Sequence, residues 1–438
     1  MTVRRVLSAL RSGEISAESL IQNCLDNIDR RAELNNFISL MGGASEAAQR
    51  SDERIKSGKS LPLDGLTFAV KDNVEVAGER TTCASRALFD YTSRSDADIV
   101  VRLKALGAVL VGKTNMDEFA MGSTNEYSAF GGVKNALDTD RVPGGSSGGS
   151  ANAVAAGQVA FAIGSDTGGS VRQPAAFCGV VGLKPTFGAI RTDGLMGLSP
   201  SLDTYGIFAA DCDGARIVFD ALCGNADNKG EATGVADLKI GIVDEYETSP
   251  VEKGVSDAYR RALDALKAMG AEIVRISIPS VKAALSAYHV ISSAEAANSF
   301  FDRFGGVDKT LLGGEVKRRL IIGRTVVSGD NYENLYIKAA KVRAVIKREF
   351  NAALDKCDVI LSPTTPTVAT PIKQLRSPGN IHSFDAFLAP VSLAGLPAAS
   401  VPFGTSLGMP AGLQVISRAN AEHTILAVGE ALERANRS

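Results

Sequence analysis

Two clusters of glycine and serine hold the hydroxyl groups of this chain that are best placed to do chemistry. They occupy residues 144–150 and 167–170, and a small-residue segment and an apolar run separate them. Glycines beside a hydroxyl let backbone N–H groups approach a ligand closely, in torsion angles that other residues avoid. The pattern favours a serine nucleophile with N–H groups around it, and a pair of ordinary turns in a large enzyme is the alternative.

A serine hydroxyl becomes a good nucleophile only when a base removes its proton. Histidine is the usual base, but the three histidines, at positions 289, 382 and 423, have no clear connection with the glycine-rich clusters. A lysine can replace histidine if burial keeps the amine neutral. Lys71 is the candidate, because the apolar strand predicted for residues 66–70 leads directly into it. Functional groups commonly lie at the carboxyl ends of strands in open α/β sheets, which favours this role for Lys71. The alternative is that Lys71 is a surface lysine that caps the strand.

Composition argues against several other function classes. The 438 residues are 45% hydrophobic and carry a net charge of −2, with no long run of either sign. Nothing therefore suggests that the chain alone binds nucleic acid or a membrane surface. The six cysteines include no C-x-x-C pair and the histidines allow no zinc spacing, which predicts mostly buried, reduced thiols and no metal site. No apolar run reaches the ~20 residues that a membrane-spanning helix needs.

Helical and strand patterns alternate along the chain and predict an α/β sheet covered on both faces. The amino-terminal residues form an amphipathic helix through Val3, Val6, Leu7 and Leu10, and Ser16 caps the next helix. A polar surface loop is expected at 225–237. Strands are predicted at 66–70, 108–111, 238–243, 272–278, 359–362, 399–403 and 413–416. Helices are predicted at 44–55, 98–106, 151–156, 214–222, 255–269, 383–393 and from 422, with a long helical region at 281–354.

Residues 107–114 match the phosphate-loop pattern G-x-x-x-x-G-K-[ST] letter for letter. In a phosphate loop the strand comes before the first glycine, and the next residues curl around the phosphates. Here the residues between the two glycines are Ala-Val-Leu-Val, which favour the strand itself. The segment therefore predicts a strand and no ATP site.

Three separate segments resemble the signature of the amidase signature family. They read V-K-D-N at 70–73, P-G-G-S-S-G-G-S at 143–150 and G-S-D-T-G-G-S-V-R-Q-P-A at 164–175. The resemblance implies a single large α/β/α domain, spanning 1–438, with a mixed β-sheet covered by helices on both faces. Amino-terminal helices would occupy about 1–60 and the catalytic core about 61–220. The remainder would complete the sheet and the substrate pocket.

The same resemblance implies a Ser–cisSer–Lys triad. Ser170 would be the nucleophile, Ser146, after a cis peptide bond, would be the bridging serine, and Lys71 would be the base. Ser146 lies 75 residues after Lys71, and Ser170 lies 24 residues after Ser146. Asp166 and Arg172 would brace the loop around the nucleophile. The oxyanion hole would be formed by backbone N–H groups, those of Thr167, Gly168, Gly169 and Ser170.

Within this family, other segments resemble the glutaminase subunits of tRNA-dependent amidotransferases. These segments are 81–85, 115–122, 172–179, 315–319 and 393–397. The resemblance implies a ligase subunit of protein biosynthesis that hydrolyses glutamine and delivers ammonia to a B-type subunit. That partner would hold most of the tRNA and use ATP and Mg to convert Glu-tRNA(Gln) to Gln-tRNA(Gln). A small C-type subunit, or an organellar equivalent, would complete the complex. The chain itself would need no cofactor and would be cytoplasmic, with the mitochondrial matrix as the alternative.

Three residues match the glutamine pocket of those subunits. Arg319 would pair with the substrate carboxylate in a bidentate fork, Asp385 would bind the ammonium group, and Tyr288 would contribute a hydroxyl. Two departures bear on the ammonia path and the subunit contacts: the chain reads S-L-D-T-Y-G-I at 201–207 where the family commonly has S-L-D-Q-I-G-P, and 304–315 is short. The alternative functions are a stand-alone hydrolase of small or aryl amides and a non-catalytic assembly subunit.

Overall fold

A mixed sheet of eleven strands forms the centre of the computed structural model, which describes residues 2–224, 234–374 and 382–437. The strands are β1 (Phe37–Leu40), β2 (Thr67–Lys71), β3 (Val109–Thr114), β4 (Phe161–Asp166), β5 (Val181–Lys184), β6 (Thr204–Ala209), β7 (Lys239–Val243), β8 (Glu272–Ile276), β9 (Val359–Pro363), β10 (Ala398–Ser406) and β11 (Met409–Ser417). Across the sheet they follow the order β1-β3-β2-β4-β6-β5-β10-β11-β9-β7-β8.

Fourteen α-helices accompany the sheet within the described ranges. They are α1 (Val3–Ser12), α2 (Ala17–Arg30), α3 (Ala44–Lys56), α4 (Asp98–Ala105), α5 (Gly148–Ala155), α6 (Arg172–Cys178), α7 (Cys212–Leu222), α8 (Asp244–Glu247), α9 (Lys253–Ala268), α10 (Val281–Phe304), α11 (Gly314–Val326), α12 (Lys338–Leu354), α13 (Ala389–Ala394) and α14 (Glu422–Arg437). Strands β2, β3, β4 and β6 are buried along their whole length, as strands covered on both faces are. The predicted α/β architecture with a mixed sheet is confirmed.

The amino-terminal helices form as their apolar spacing predicts. Val3, Val6, Leu7 and Leu10 are buried on one face of α1. The hydroxyl of Ser16 accepts a hydrogen bond from the N–H of Ser19, at 3.0 Å, and so caps α2. Residues up to 60 also contain β1, which pairs antiparallel with β3 at the edge of the sheet and which was not predicted from the sequence.

Strand β2 places Lys71 in the interior of the sheet. It lies between β3 and β4 and runs parallel to both, with Val70 opposite Ile163. The residues that follow β2 and β4 therefore meet at the same edge of the sheet. That edge brings Lys71 next to Ser165 and Asp166.

The segment that matches the phosphate-loop pattern is a strand, as predicted. β3 extends from Val109 to Thr114 and is buried throughout, so the second glycine, the lysine and the threonine of the pattern all belong to the sheet. The Lys113 ammonium forms an ion pair with Asp72 at 3.0 Å, and both side chains are buried. The ammonium of Lys113 is therefore already paired inside the protein.

One predicted helix is wrong as a continuous element. Residues 383–393 form a short 3₁₀ turn, His382–Ala386, followed by α13, which begins beside Pro390. Proline lacks an N–H group and its ring collides with the carbonyl four residues earlier, so a helix restarts at this position. Strand β6 was not predicted either. Part of the predicted loop at 225–237, residues 225–233, lies outside the described residues.

The cysteines are mostly buried and reduced, as the composition predicts. All six cysteines are free, and every one except Cys223 is buried. No helix in the described part of the chain is long and apolar enough to cross a membrane. Among the same residues, no group of three histidine, cysteine, aspartate or glutamate side chains is arranged to hold a metal ion.

Candidate active site

Lys71 and Ser146 are in direct contact. The Lys71 Nζ atom lies 2.7 Å from Ser146 Oγ and 2.9 Å from Ser165 Oγ, and all three side chains are buried. Asn73 donates a further hydrogen bond to Ser165 Oγ at 3.1 Å. The Gly145–Ser146 peptide bond is cis, as the family resemblance implies. A lysine amine therefore ends on two hydroxyl groups that come from two different segments of the chain.

Burial lowers the pKa of Lys71 to about 7, even though the carboxylates of Asp117, Asp203 and Asp166 favour the charged form. About half of the amine is then neutral near pH 7, and a neutral amine has one lone pair that can accept a proton. A neutral Lys71 can donate an N–H to Ser165 and at the same time direct this lone pair at the Ser146 hydroxyl, which lies 2.7 Å away. The geometry is that of a general base acting on the Ser146 hydroxyl.

Two contacts fix the backbone around Ser146. The N–H of Gly145 donates to Gln173 Oε1 at 2.9 Å, and the N–H of Asp117 donates to the carbonyl of Ser146 at 3.2 Å. A Cβ atom at Gly145 would collide with the Asp117 carboxylate, so this position must be glycine. The backbone is thus held on both sides of the cis peptide bond.

Ser170 lies beside this pair and is half-buried. Its carbonyl accepts a hydrogen bond from the N–H of Ser147 at 3.3 Å, which joins the two glycine-rich clusters directly. Among the hydrogen bonds of the described residues there is none between the hydroxyls of Ser146 and Ser170. Lys71 and Ser146 are therefore hydrogen-bonded to each other. Ser170 lies next to them, but its hydroxyl forms no hydrogen bond with the Ser146 hydroxyl.

The loop before Ser170 presents several free N–H groups. The N–H of Gly169 donates to Asp166 Oδ1 at 2.8 Å, so this predicted oxyanion donor is already engaged. In the described part of the chain, the N–H groups of Thr167, Gly168 and Ser170 have no protein acceptor. These three remain available to an oxyanion.

Asp166 and Arg172 form a buried ion pair that braces this loop. Arg172 Nη2 lies 2.9 Å from Asp166 Oδ1, and neither side chain is exposed. Burial favours the neutral acid, but the adjacent guanidinium outweighs it and lowers the pKa of Asp166. Arg172 also donates to Gln414 Oε1 at 2.6 Å and to the carbonyl of Leu388 at 3.1 Å. The bracing role predicted for both residues agrees with these contacts.

Two buried carboxyl groups near Lys71 were not singled out from the sequence. Asp203 accepts hydrogen bonds from the Thr167 hydroxyl at 2.5 Å and from the N–H of Leu198 at 2.6 Å, and burial raises its pKa to about 6. Asp117 accepts from the N–H of Asn125 at 2.9 Å, and burial raises its pKa to about 6 as well. Both lie in segments that bear on the family resemblance, 201–207 and 115–122, but nothing in those segments shows where the carboxyl groups point.

The three predicted pocket residues are buried and converge near the Ser170 loop. The ring of Tyr288 lies so close to Gly168 that a side chain there would overlap it. Burial raises the pKa of Asp385 to about 7, and the positive charge of Arg319 opposes that rise. Burial, followed by the charge of Asp385, raises the pKa of Tyr288. Tyr288 therefore lies against the loop that carries the free N–H groups, and Arg319 and Asp385 are buried within electrostatic range of each other and of Tyr288.

The amidase family model matches residues 19–426 of this chain. The A subunit of glutamyl-tRNA(Gln) amidotransferase from Caldanaerobacter subterraneus subsp. tengcongensis is 40% identical to it, with 99% of this chain and 96% of the relative covered. The A subunit from an Exiguobacterium species is also 40% identical, with 99% of this chain and 97% of the relative covered.

Solved structures show the same relationship. The crystal structure of the A subunit of glutamyl-tRNA(Gln) amidotransferase from Thermotoga maritima superposes with a TM-score of 0.84 and 38% identity, over 99% of this chain and 94% of that one. A crystal structure described as an amidase superposes with a TM-score of 0.91 and 30% identity, over 99% of both chains. The family match, the full-length relatives and the shared fold lead to one conclusion: the chain belongs to the amidase signature family.

Proposed function

We propose that this chain is the glutamine-hydrolysing subunit of a tRNA-dependent amidotransferase. The contact between a buried lysine of lowered pKa and Ser146 carries the proposal, because it supplies a base for serine chemistry without histidine. Full-length similarity to subunits named for glutamyl-tRNA(Gln) amidotransferase supports the choice of reaction. The buried guanidinium of Arg319 and the buried carboxyl group of Asp385 support an amino-acid substrate.

In the proposed reaction, Ser170 Oγ attacks the carboxamide carbon of glutamine. Its proton passes to Ser146, whose own proton moves to the neutral amine of Lys71. The N–H groups of Thr167, Gly168 and Ser170 stabilise the oxyanion of the tetrahedral intermediate. Loss of one such donor typically costs about 3 kcal/mol in the transition state.

The intermediate then collapses and the carbon–nitrogen bond breaks. The proton held by Lys71 returns through Ser146 to the leaving nitrogen, which departs as ammonia. A glutamyl ester remains on Ser170. Water attacks this ester with the same groups as base and acid, releases glutamate and restores the Ser170 hydroxyl.

Arg319, Asp385 and Tyr288 would select the substrate. The guanidinium of Arg319 matches the substrate carboxylate, the Asp385 carboxylate matches its ammonium group, and Tyr288 contributes a hydroxyl beside Gly168. Both charged partners are buried, so an amide that lacks either charge would leave N–H groups of Arg319 or carboxylate oxygens of Asp385 without a partner from the substrate.

The ammonia would pass to a B-type subunit, which would activate Glu-tRNA(Gln) with ATP and Mg and hold most of the tRNA. A small C-type subunit or an organellar equivalent would complete the assembly, and this chain would need no cofactor of its own. The proposed compartment is the cytoplasm, with the mitochondrial matrix as the alternative. Six free cysteines are in keeping with either of these reducing environments.

Mass spectrometry of the chain after reaction with a glutamine analogue that carries an electrophilic carbon at the amide position tests the nucleophile and the substrate together. We expect one glutamyl-sized adduct on Ser170, and none in Ser170→Ala. A Ser147→Ala variant is the matched control, since it removes a nearby hydroxyl and should still be labelled. An adduct on another residue would contradict the proposed triad.

A second measurement separates this proposal from a stand-alone amidase, which the TM-score of 0.91 to an amidase structure keeps in consideration. Glutamine hydrolysis by the purified chain should be slow and should accelerate when a B-type partner, ATP and Glu-tRNA(Gln) are added. Rapid turnover of aryl or small amides by the isolated chain, with no response to the partner, would favour the stand-alone enzyme.

A further inference from the structure

The proposed substrate arginine is already held by a carboxylate of its own helix. Arg319 Nε donates to Glu315 Oε1 at 2.7 Å, and the two side chains are only 9% and 12% exposed. Pairs four residues apart on a helix are usually exposed and worth little. This pair is largely shielded from solvent. Glu315 therefore holds the Arg319 guanidinium in one direction, and that direction is what matters for a substrate.

The contact uses one side of the guanidinium and leaves the other side free. Within the described residues, Nη1 and Nη2 of Arg319 donate to no protein acceptor, while Nε is taken by Glu315. A carboxylate is bound most specifically by two parallel N–H groups of an arginine. The Nη1 and Nη2 groups still offer N–H donors to an incoming carboxylate.

A second buried carboxyl group fixes the start of the helix that bears this pair. Glu118 accepts a hydrogen bond from the N–H of Gly313 at 2.8 Å and another from the Ser85 hydroxyl at 2.5 Å. Gly313 is the residue before α11, so Glu118 anchors the first turn, where Glu315 lies. The position of Glu315 is therefore set by contacts outside its own helix.

Glu315 also has a second cationic neighbour that keeps it ionised. Arg318 donates to both of its carboxylate oxygens, at 2.8 and 2.7 Å. Burial favours the protonated acid, but Arg318 and Arg319 together hold the pKa of Glu315 below its ordinary value. A permanently charged acceptor thus faces the Nε of Arg319.

We propose that Glu315 is a positioning residue for substrate recognition: it holds Arg319 through Nε so that the remaining N–H groups face the carboxylate of an α-amino-acid amide. This inference rests on the proposed function and adds to it the residue that makes the site selective for substrates with an α-carboxylate. Glu315 touches neither the substrate nor the reacting atoms.

Steady-state kinetics of Glu315→Gln with glutamine tests the inference. The amide keeps the size of the side chain but loses the charge that holds the guanidinium. A charge-assisted hydrogen bond is worth about 1.5–3 kcal/mol, so the KM for glutamine should rise by about tenfold or more. The kcat should change by less than about twofold, since the interaction is made equally in the ground and transition states.

A substrate without the α-carboxylate gives the decisive comparison. 4-Aminobutanamide keeps the amine and the carboxamide of glutamine, and its KM should be the same for the native chain and for Glu315→Gln. Asp257→Asn is the matched control, because it neutralises a carboxylate that pairs with a cation four residues away on another helix, the exposed Lys253, and it should leave the KM for glutamine unchanged. Glu315→Asp, which keeps the charge on a shorter side chain, should give an intermediate KM and serves if Glu315→Gln does not fold.

An unchanged or lower KM of Glu315→Gln for glutamine would overturn the inference, and a lower KM would show instead that Glu315 competes with the substrate for Arg319. An equal rise in KM for 4-aminobutanamide would also overturn it, since a general loss of structure would then explain the effect. If the native chain and its partner hydrolyse no glutamine at all, the proposed function itself fails.

Discussion

A neutral amine has a single lone pair, so the neighbours of Lys71 decide which hydroxyl it can serve. Ser165 provides an acceptor for one N–H bond of the amine, and Asn73 holds that acceptor in place. The 2.7 Å contact with Ser146 can then be made through the lone pair of the neutral amine or through its second N–H bond, and only the first arrangement lets Lys71 accept the Ser146 proton. The apolar run before Lys71 predicts its burial from sequence, whereas the role of Ser165 depends on a side-chain direction that only the folded sheet shows.

The first prediction concerns pH. Because burial lowers the pKa of Lys71 to about 7 and the base works only when neutral, kcat for glutamine should be about half of its maximum at pH 7 and constant above about pH 8. Below pH 7 the amine is protonated, and kcat should fall about tenfold per pH unit. A kcat profile from pH 5 to pH 9 measures this. A rate that still rises toward pH 10 would mean that Lys71 keeps the ordinary pKa of lysine.

Asp385→Asn is the control for that profile. Burial raises the pKa of Asp385 to about 7, so its ionisation overlaps that of Lys71. Asp385 has to be ionised to bind the substrate ammonium, and its loss should therefore raise KM. The pH dependence of kcat should survive the substitution, because that dependence belongs to Lys71.

Among the elements, α6 connects the loop that holds Ser170 to the far half of the sheet. It begins at Arg172, whose guanidinium reaches Asp166 at the end of β4, Gln414 in β11 and the backbone next to α13. Distant parts of the chain therefore meet on one buried side chain. We therefore expect the shape of the loop to depend on this side chain.

The second prediction follows from that clamp. Arg172→Met should lower the free energy of unfolding by about 3–5 kcal/mol, because it leaves the Asp166 carboxylate buried without a cation beside it. Urea denaturation measures the change. Arg191→Ala is the control, since Arg191 and Asp193 form an exposed pair, and it should leave the denaturation midpoint unchanged. Equal effects of the two substitutions would refute the special role of the buried pair.

How far the strands could be predicted depended on whether an uninterrupted apolar run marks them in the sequence, and β6, with a glycine in its middle, has no such run. Strands such as β2 and β3 are continuous apolar runs, and such runs are the clearest signal of a buried strand. β1 has only four residues and lies at the sheet edge, so no period is visible in it. The signature residues of the site were predictable because they occur together in short segments. Asp117 and Asp203 were not, since their role comes from tertiary contacts.

At the scale of the whole molecule, the packed interior shields nearly every cysteine. Cys24, Cys83, Cys178, Cys212 and Cys357 are buried, and burial raises the pKa of each thiol. Cys223, at the end of α7, is exposed. A thiol reacts with a reagent only when it is accessible and ionised. In the folded chain, Cys223 is therefore expected to react and the other five cysteines are not.

The third prediction uses this difference. A small thiol reagent should modify one of the six cysteines in the native chain and all six after denaturation. Reaction at pH 8 should be slow, because burial of part of the Cys223 side chain raises its pKa to about 11. Cys223→Ser should abolish the native reaction. Fast labelling of two or more thiols would show that the core opens more easily than its packing indicates.

The groups that would break the bond and those that would recognise the amide come from different halves of the chain. Lys71, Ser146 and Ser170 precede β6, whereas Tyr288, Arg319 and Asp385 lie in or after α10. Substitutions in the second half can therefore redirect the enzyme toward another amide and leave the bond-breaking groups intact. Descendants of one ancestor can in this way keep a single reaction and still diverge in the compounds they consume.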